Sequence, residues 1–149
     1  MGYRDGGGFR KFYQQQVEWI LALIDRYYQD SITTEQYLKM MDQLGQEPNL
    51  DEIPPELDDF PLEVQEAFVV HLMLPDKWDG ASGQYMGKDW AALEPLLNIN
   101  EIPTADRKIL CFFLKFIESA NTININESLK RQQDATQRRA KSKEWQERK

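Results

Sequence analysis

The stretch Pro61-Leu-Glu-Val-Gln-Glu-Ala-Phe-Val-Val-His-Leu-Met-Leu-Pro75 decides the fold. Its prolines bracket one helix. Pro61 suits the first helical position, and Pro75 ends the run at about Leu74. Asp58, Asp59 and Glu63 favour the positive helix end. From Ala67 to Leu74 the run is apolar nearly all round, with Phe68, Val69, Val70, Leu72 and Met73. That composition predicts a central buried helix, which needs other helices around it.

Those partners stand on either side in the sequence. Ile109, Leu110, Phe112, Phe113, Leu114, Phe116 and Ile117 predict a second core helix over 105–120, capped by Thr104. Phe9, Tyr13, Val17, Ile20, Ile24 and Tyr27 recur at helical spacing and predict a third over 9–30, widened by Trp19 and Leu23. At 31–45, Thr33 and Gln36 form a capping box, with Ile32 set to pack on Tyr37. Tyr37, Met40, Met41 and Leu44 then read as a buried stripe, and Gly45 stops the helix. Between these helices, Pro48, Pro54 and Pro55 make 46–60 an extended acidic connector. Asp89 can cap a short helix from Trp90 to about Ile99, which Pro95 must bend or divide. Asn121-Thr-Ile-Asn-Ile-Asn126 breaks the helical pattern and reads as a loop, with a short strand as the alternative.

The expected fold is therefore all-α, a compact bundle of about five to six helices with no significant sheet. It divides into one acidic helical domain over 1–126 and a basic extension over 127–149, helical or disordered. The chain has 149 residues, enough for one domain and hardly for two.

Composition narrows the function classes. No apolar run approaches the length of a membrane span, and the first residues carry no apolar signal region. A single cysteine, Cys111, forbids an internal disulfide and points to a reducing compartment, the cytoplasm. With one histidine, His71, the usual zinc sets are excluded, and no cofactor is expected. His71 reads as a core or boundary histidine, since no nucleophile is visible to pair with it. Cys111 shares a helical strip with Lys108 and Lys115, which would favour a thiolate somewhat, and reads as a bystander. The segment Gly80–Asp89 fails as a phosphate-binding loop: Ser82 stands where a Gly is required, and Asp89 where a Ser or Thr is. No catalytic constellation can be assembled, so an enzyme is not expected.

Charge is unevenly spread. The net charge is −7, and residues 127–149 alone carry +4. No Lys or Arg occurs between Lys39 and Lys77, a span that holds ten carboxylates. Such an acidic body is a poor nucleic-acid binder, and the expected partner is a protein. Two segments suit that role. In the loop 75–89, large apolar Trp78, Tyr85 and Met86 sit among glycines, with Trp90 just beyond. In the extension, Trp145 is an apolar anchor beside Arg138 and Arg139, which supply electrostatic steering.

Residues 68–99 carry a further pattern: an apolar helix leading to Trp78, the turn glycines Gly80, Gly83 and Gly87, then Asp89-Trp90-Ala91-Ala92-Leu93. Over 68–120 this resembles small tail assembly chaperone-type proteins of tailed bacteriophages. The resemblance implies a non-enzymatic helical protein acting in the host cytoplasm. It would hold tail tube or tape-measure subunits before they polymerise. Two other classes remain beside it. One is an acidic decoy whose 40–76 carboxylates occupy a basic, nucleic-acid-binding surface of a host protein; the other is an enzyme using carboxylates in a helical cleft.

Overall fold

The computed structural model describes residues 14–30 and 32–148. Phe9, Tyr13 and the glycine run at 6–8 lie outside the described residues. Five α-helices and one two-stranded sheet are present among those described. The helices are α1 (Gln14–Gln29), α2 (Thr34–Leu44), α3 (Leu62–Met73), α4 (Leu93–Ile99) and α5 (Arg107–Glu147). An antiparallel hairpin of β1 (Asp76–Trp78) and β2 (Tyr85–Lys88) joins α3 to α4. The helical class holds, with a small sheet where a loop was expected.

The N-terminal half of α5 is the spine, and α1 and α3 pack on it. Ile109, Leu110, Phe113, Leu114 and Ile117 of α5 meet Ile20, Leu23 and Ile24 of α1 and Val64, Ala67, Phe68 and Val70 of α3. Tyr27, Phe60 and Phe68 close one end, with ring centroids 5.0 Å apart for both the Tyr27–Phe68 and Phe60–Phe68 pairs. Thr33 and Gln36 form the expected capping box, and Gly45 ends α2 in the left-handed region at φ 65°. Pro95 falls in the first turn of α4, where its missing N–H costs no helical bond, after a separate 3-10 turn at Trp90–Ala92.

Several expectations need correction. α3 is not central. On its outer side Leu72 is 79% exposed, and Leu62, Val69 and Met73 are also open among the described residues. Trp19 likewise faces outward rather than toward a second neighbour. In α2 only Tyr37 is buried, while Ile32, Met40 and Leu44 are exposed. This helix is tied down by polar contacts with the acidic connector instead of a shared core. Thr34 Oγ1 donates to the Pro54 carbonyl at 2.9 Å, and the Asn49 amide donates to Tyr37 Oη at 3.2 Å. The Arg26 guanidinium reaches the Ile53 carbonyl at 2.8 Å and fastens the same connector to α1. Thr104 opens a 3-10 turn and makes no side-chain cap.

The largest difference lies at 121–126. No loop or strand interrupts the chain there, and α5 runs for 41 residues, about 60 Å at helical rise. The boundary drawn between 126 and 127 falls inside this helix, and the extension is helical. Every residue from Lys130 to Arg148 is exposed.

Core and open face should respond differently to truncation. Phe113 is fully buried, so Phe113→Ala should lower unfolding free energy by about 3–5 kcal/mol in chemical denaturation. Leu72→Ala should change it by less than about 0.5 kcal/mol.

Candidate functional site

Pro75 stops α3, and the chain turns at once into the hairpin. Asp76 pairs with Lys88, Lys77 with Gly87 and Trp78 with Tyr85, which leaves Met86 as an extra, unpaired residue in β2. Met86 is exposed at this bulge, while the Trp78 ring packs on Tyr85. The tip is organised by Asp79, whose carboxylate accepts the Ala81 and Ser82 amides and the Ser82 hydroxyl. These bonds hold the Asp79 carboxyl below its ordinary range, the Ser82 hydroxyl contributing most.

Two side chains of α5 seat the hairpin. Asn126 meets the backbone of Tyr85 as a third strand would: the Tyr85 amide donates to Asn126 Oδ1 at 3.0 Å, and Asn126 Nδ2 donates to the Tyr85 carbonyl at 3.0 Å. Two turns earlier, Glu118 gathers donors from four places. Its Oε2 accepts the Lys88 amide at 2.8 Å and the Trp90 indole N–H at 2.8 Å. Its Oε1 accepts the Thr122 hydroxyl at 3.2 Å and faces His71 Nε2 of α3 at 3.5 Å. Gly87 makes this approach feasible. Its φ is 90°, and a Cβ there would stand 3.3 Å from the Glu118 carboxyl carbon.

Electrostatics follow from this packing. Burial alone would raise the Glu118 carboxyl, but the bonds from Trp90, the Lys88 amide and His71 together hold it below its ordinary value of 4.5. Burial pushes the His71 imidazole below 6.5, against the partial support of Glu118. At neutral pH the ring is therefore uncharged, and its Nε2–H points at a carboxylate. Tyr85 Oη donates to Asp76 at 2.6 Å, and Lys88 Nζ lies 2.9 Å from the same carboxylate. Those two contacts lower the Asp76 carboxyl, the Tyr85 bond more than the lysine. Burial also raises the Cys111 thiol despite nearby Arg107, so the expected tilt toward thiolate is reversed.

A cleft of about 320 Å³ opens beside this cluster, lined by Tyr28, Leu57, Phe68, His71, Leu72 and Lys88 among others. Its His71 and Lys88 are already engaged by carboxylates, His71 by Glu118 at 3.5 Å and Lys88 by Asp76 at 2.9 Å. The arrangement holds elements together. Among the described residues, no group of three or more His, Cys, Asp or Glu is set to hold a metal ion, and no helix is long and apolar enough to cross a membrane.

The residues singled out from sequence separate into three groups. Trp78 and Met86 are 54% and 57% exposed on the hairpin, as an interaction element requires. Tyr85 is 1% exposed and is no anchor for a partner, because β2 turns it inward onto Asp76 and Trp78. Trp90 is partly open, with its N–H already given to Glu118. Arg138, Arg139 and Trp145 are exposed near the far end of α5, well away from the hairpin. Sequence reasoning missed Glu118 and Asn126. The one available signal was an acidic residue directly after the buried Ile117 in an apolar helical run. Comparison with protein-family models, with curated proteins and with solved structures finds no match for this chain.

Two outcomes follow. The folded state binds a proton at His71 less tightly than the unfolded chain does, so His71 stabilises fully above about pH 6.5 and less as pH falls below it. His71 is the single histidine, so the melting temperature should drop between about pH 7 and 5.5, and His71→Gln should flatten that interval. Gly87→Ala forces a positive φ and crowds Glu118, and should destabilise by about 1–2 kcal/mol in denaturant titration.

Proposed function

We propose that this chain is a non-enzymatic protein-binding adaptor of the assembly-chaperone kind, and that it binds through the hairpin and the extended end of α5. The single observation that supports this reading is the helix itself. From Lys130 to Arg148 it runs on, exposed on every side, for about 28 Å. Isolated polar helices of this length are marginal in water. A helix of this kind is suited to a partner surface, with Trp145 as anchor and the surrounding cations as steering charges.

The resemblance over 68–120 suggests the cargo: a tail tube or tape-measure subunit of a tailed bacteriophage, kept from polymerising in the host cytoplasm. The hairpin suits such work, since Trp78 and Met86 are both exposed on strands that α5 seats through Asn126 and Glu118. The decoy reading has one observation in its favour. Glu47, Asp51, Glu52, Glu56, Asp58 and Asp59 of the connector are all exposed. The two readings differ in salt: a charge decoy loses affinity steeply as salt rises, and an apolar cargo contact does not.

Mixing the chain with a purified tail tube subunit and following polymerisation by light scattering tests the proposal. The intact chain should delay polymerisation. Trp78→Ala should abolish the delay while moving the melting temperature by less than about 2 °C, because the ring is largely exposed. Truncation after Lys130 should leave melting nearly unchanged and weaken capture. An unaltered delay with both variants would remove these elements from the binding surface.

A further inference from the structure

The outer side of α3 has the form of half a helix–helix contact. Leu62, Val69, Leu72 and Met73 make an apolar ridge, with Leu62 68% and Leu72 79% exposed. The ridge lies between two grooves. One is the cleft of about 320 Å³ that includes Tyr27, Tyr28 and Leu57. The other, of about 220 Å³, is bounded by Leu62, Gln65, Glu66, Val69, Asn100 and Ile102. Ridges of a second helix fit into grooves of this kind.

The charge around the ridge specifies the occupant. Glu66 stands on the same side of α3, and the connector brings Glu56, Asp58 and Asp59 to its start. No Lys or Arg occurs from residue 40 to 76. Two α3 faces packed on each other would bring two acidic borders together, which like-charge repulsion opposes. A basic helix has no such penalty.

This chain carries that helix at its own end. Arg138, Lys141 and Trp145 fall at i, i+3 and i+7, one stripe of two cations and an aromatic ring, while Arg139 and Lys143 lie on the other side of the helix. The tail cannot reach the α3 of its own copy. From Arg107 to Glu147 the helix contains no Gly or Pro, and it runs on without a hinge. A second copy has no such restriction.

We propose that the end of α5 from one copy docks across the α3 ridge of another, with Arg138 and Lys141 meeting Glu56, Asp58, Asp59 and Glu66. The aliphatic stems of the cations cover Val69 and Leu72, and the Trp145 ring enters the larger groove. The contact joins two different surfaces. It closes on itself when two copies exchange tails, and otherwise propagates into an open chain. The inference rests on the adaptor reading for the tail as a binding element, and names a second copy as what the tail binds.

Sedimentation of the full-length chain at about 100 µM tests it, at about 50 mM and about 500 mM salt. The expected result is self-association at low salt that is largely lost at high salt. Leu72→Asp and the double variant Arg138→Glu/Lys141→Glu should each weaken association at least about tenfold. Both alter exposed positions, and unchanged melting confirms that each still folds. A chain truncated after Lys130 should be monomeric throughout. A full-length chain that stays monomeric at low salt overturns the inference. So does association that survives truncation or Leu72→Asp. Failure here is separable from failure of the adaptor reading. A monomeric chain that still delays tail-subunit polymerisation through its tail refutes only self-docking. A self-associating chain that captures no tail subunit refutes only the cargo.

Discussion

Glu118 is the residue on which the arrangement of this protein depends. A carboxylate with little solvent is destabilising unless its oxygens are filled. Here α3, the end of β2, the turn before α4 and the next turn of α5 each send a donor to it. Removing the carboxylate would leave those donors to find water in a partly closed site. The same bonds tie α3 to α5 and fix where the hairpin sits and where the chain leaves for α4. A two-stranded hairpin alone is marginal in water. This one is held at one end by Glu118 and at the other by Asn126, both from a single helix, so it moves with α5 as one body.

That dependence explains the length of α5. A helix ending near Ala120, as the pattern of side chains predicts, would deliver Glu118 but not Asn126. The stretch 121–126 is poor in helix formers, since Asn, Thr and Ile each lose a few tenths of a kcal/mol to alanine. Tertiary bonds reverse that small preference. Thr122 gives its hydroxyl to Glu118, and Asn126 gives both ends of its amide to Tyr85. The period-two look of Asn-Thr-Ile-Asn-Ile-Asn is therefore a helix placing polar groups along one edge.

The parts of the fold legible in sequence were those decided locally. The capping box at Thr33, the stop at Gly45, the break at Pro75 and the apolar run of α5 each follow from neighbouring residues. What escaped was decided across the chain. The hairpin has strands of three and four residues, too short for alternation to stand out from a glycine-rich loop. Whether Tyr85 or Met86 faces inward depends on one bulge, which no local pattern specifies. α3 shows the limit most clearly. An all-round apolar helix says that every side prefers cover, and it does not say that the cover belongs to the same copy. The candidate site was half legible for the same reason: aromatic residues in a loop announce a surface, while the carboxylate and amide that seat that surface look like ordinary polar positions.

The distribution of charge completes this logic. Acidic groups border the uncovered ridge of α3, and basic groups occupy a helix held away from it. Within one copy the two cannot neutralise each other, because α5 has no hinge. A flexible tail of the same composition would collapse onto its own acidic connector and screen it. Stiffness holds the two surfaces apart. It also couples them, since the helix that projects the cations is the one that seats Trp78 and Met86 through Asn126 and Glu118.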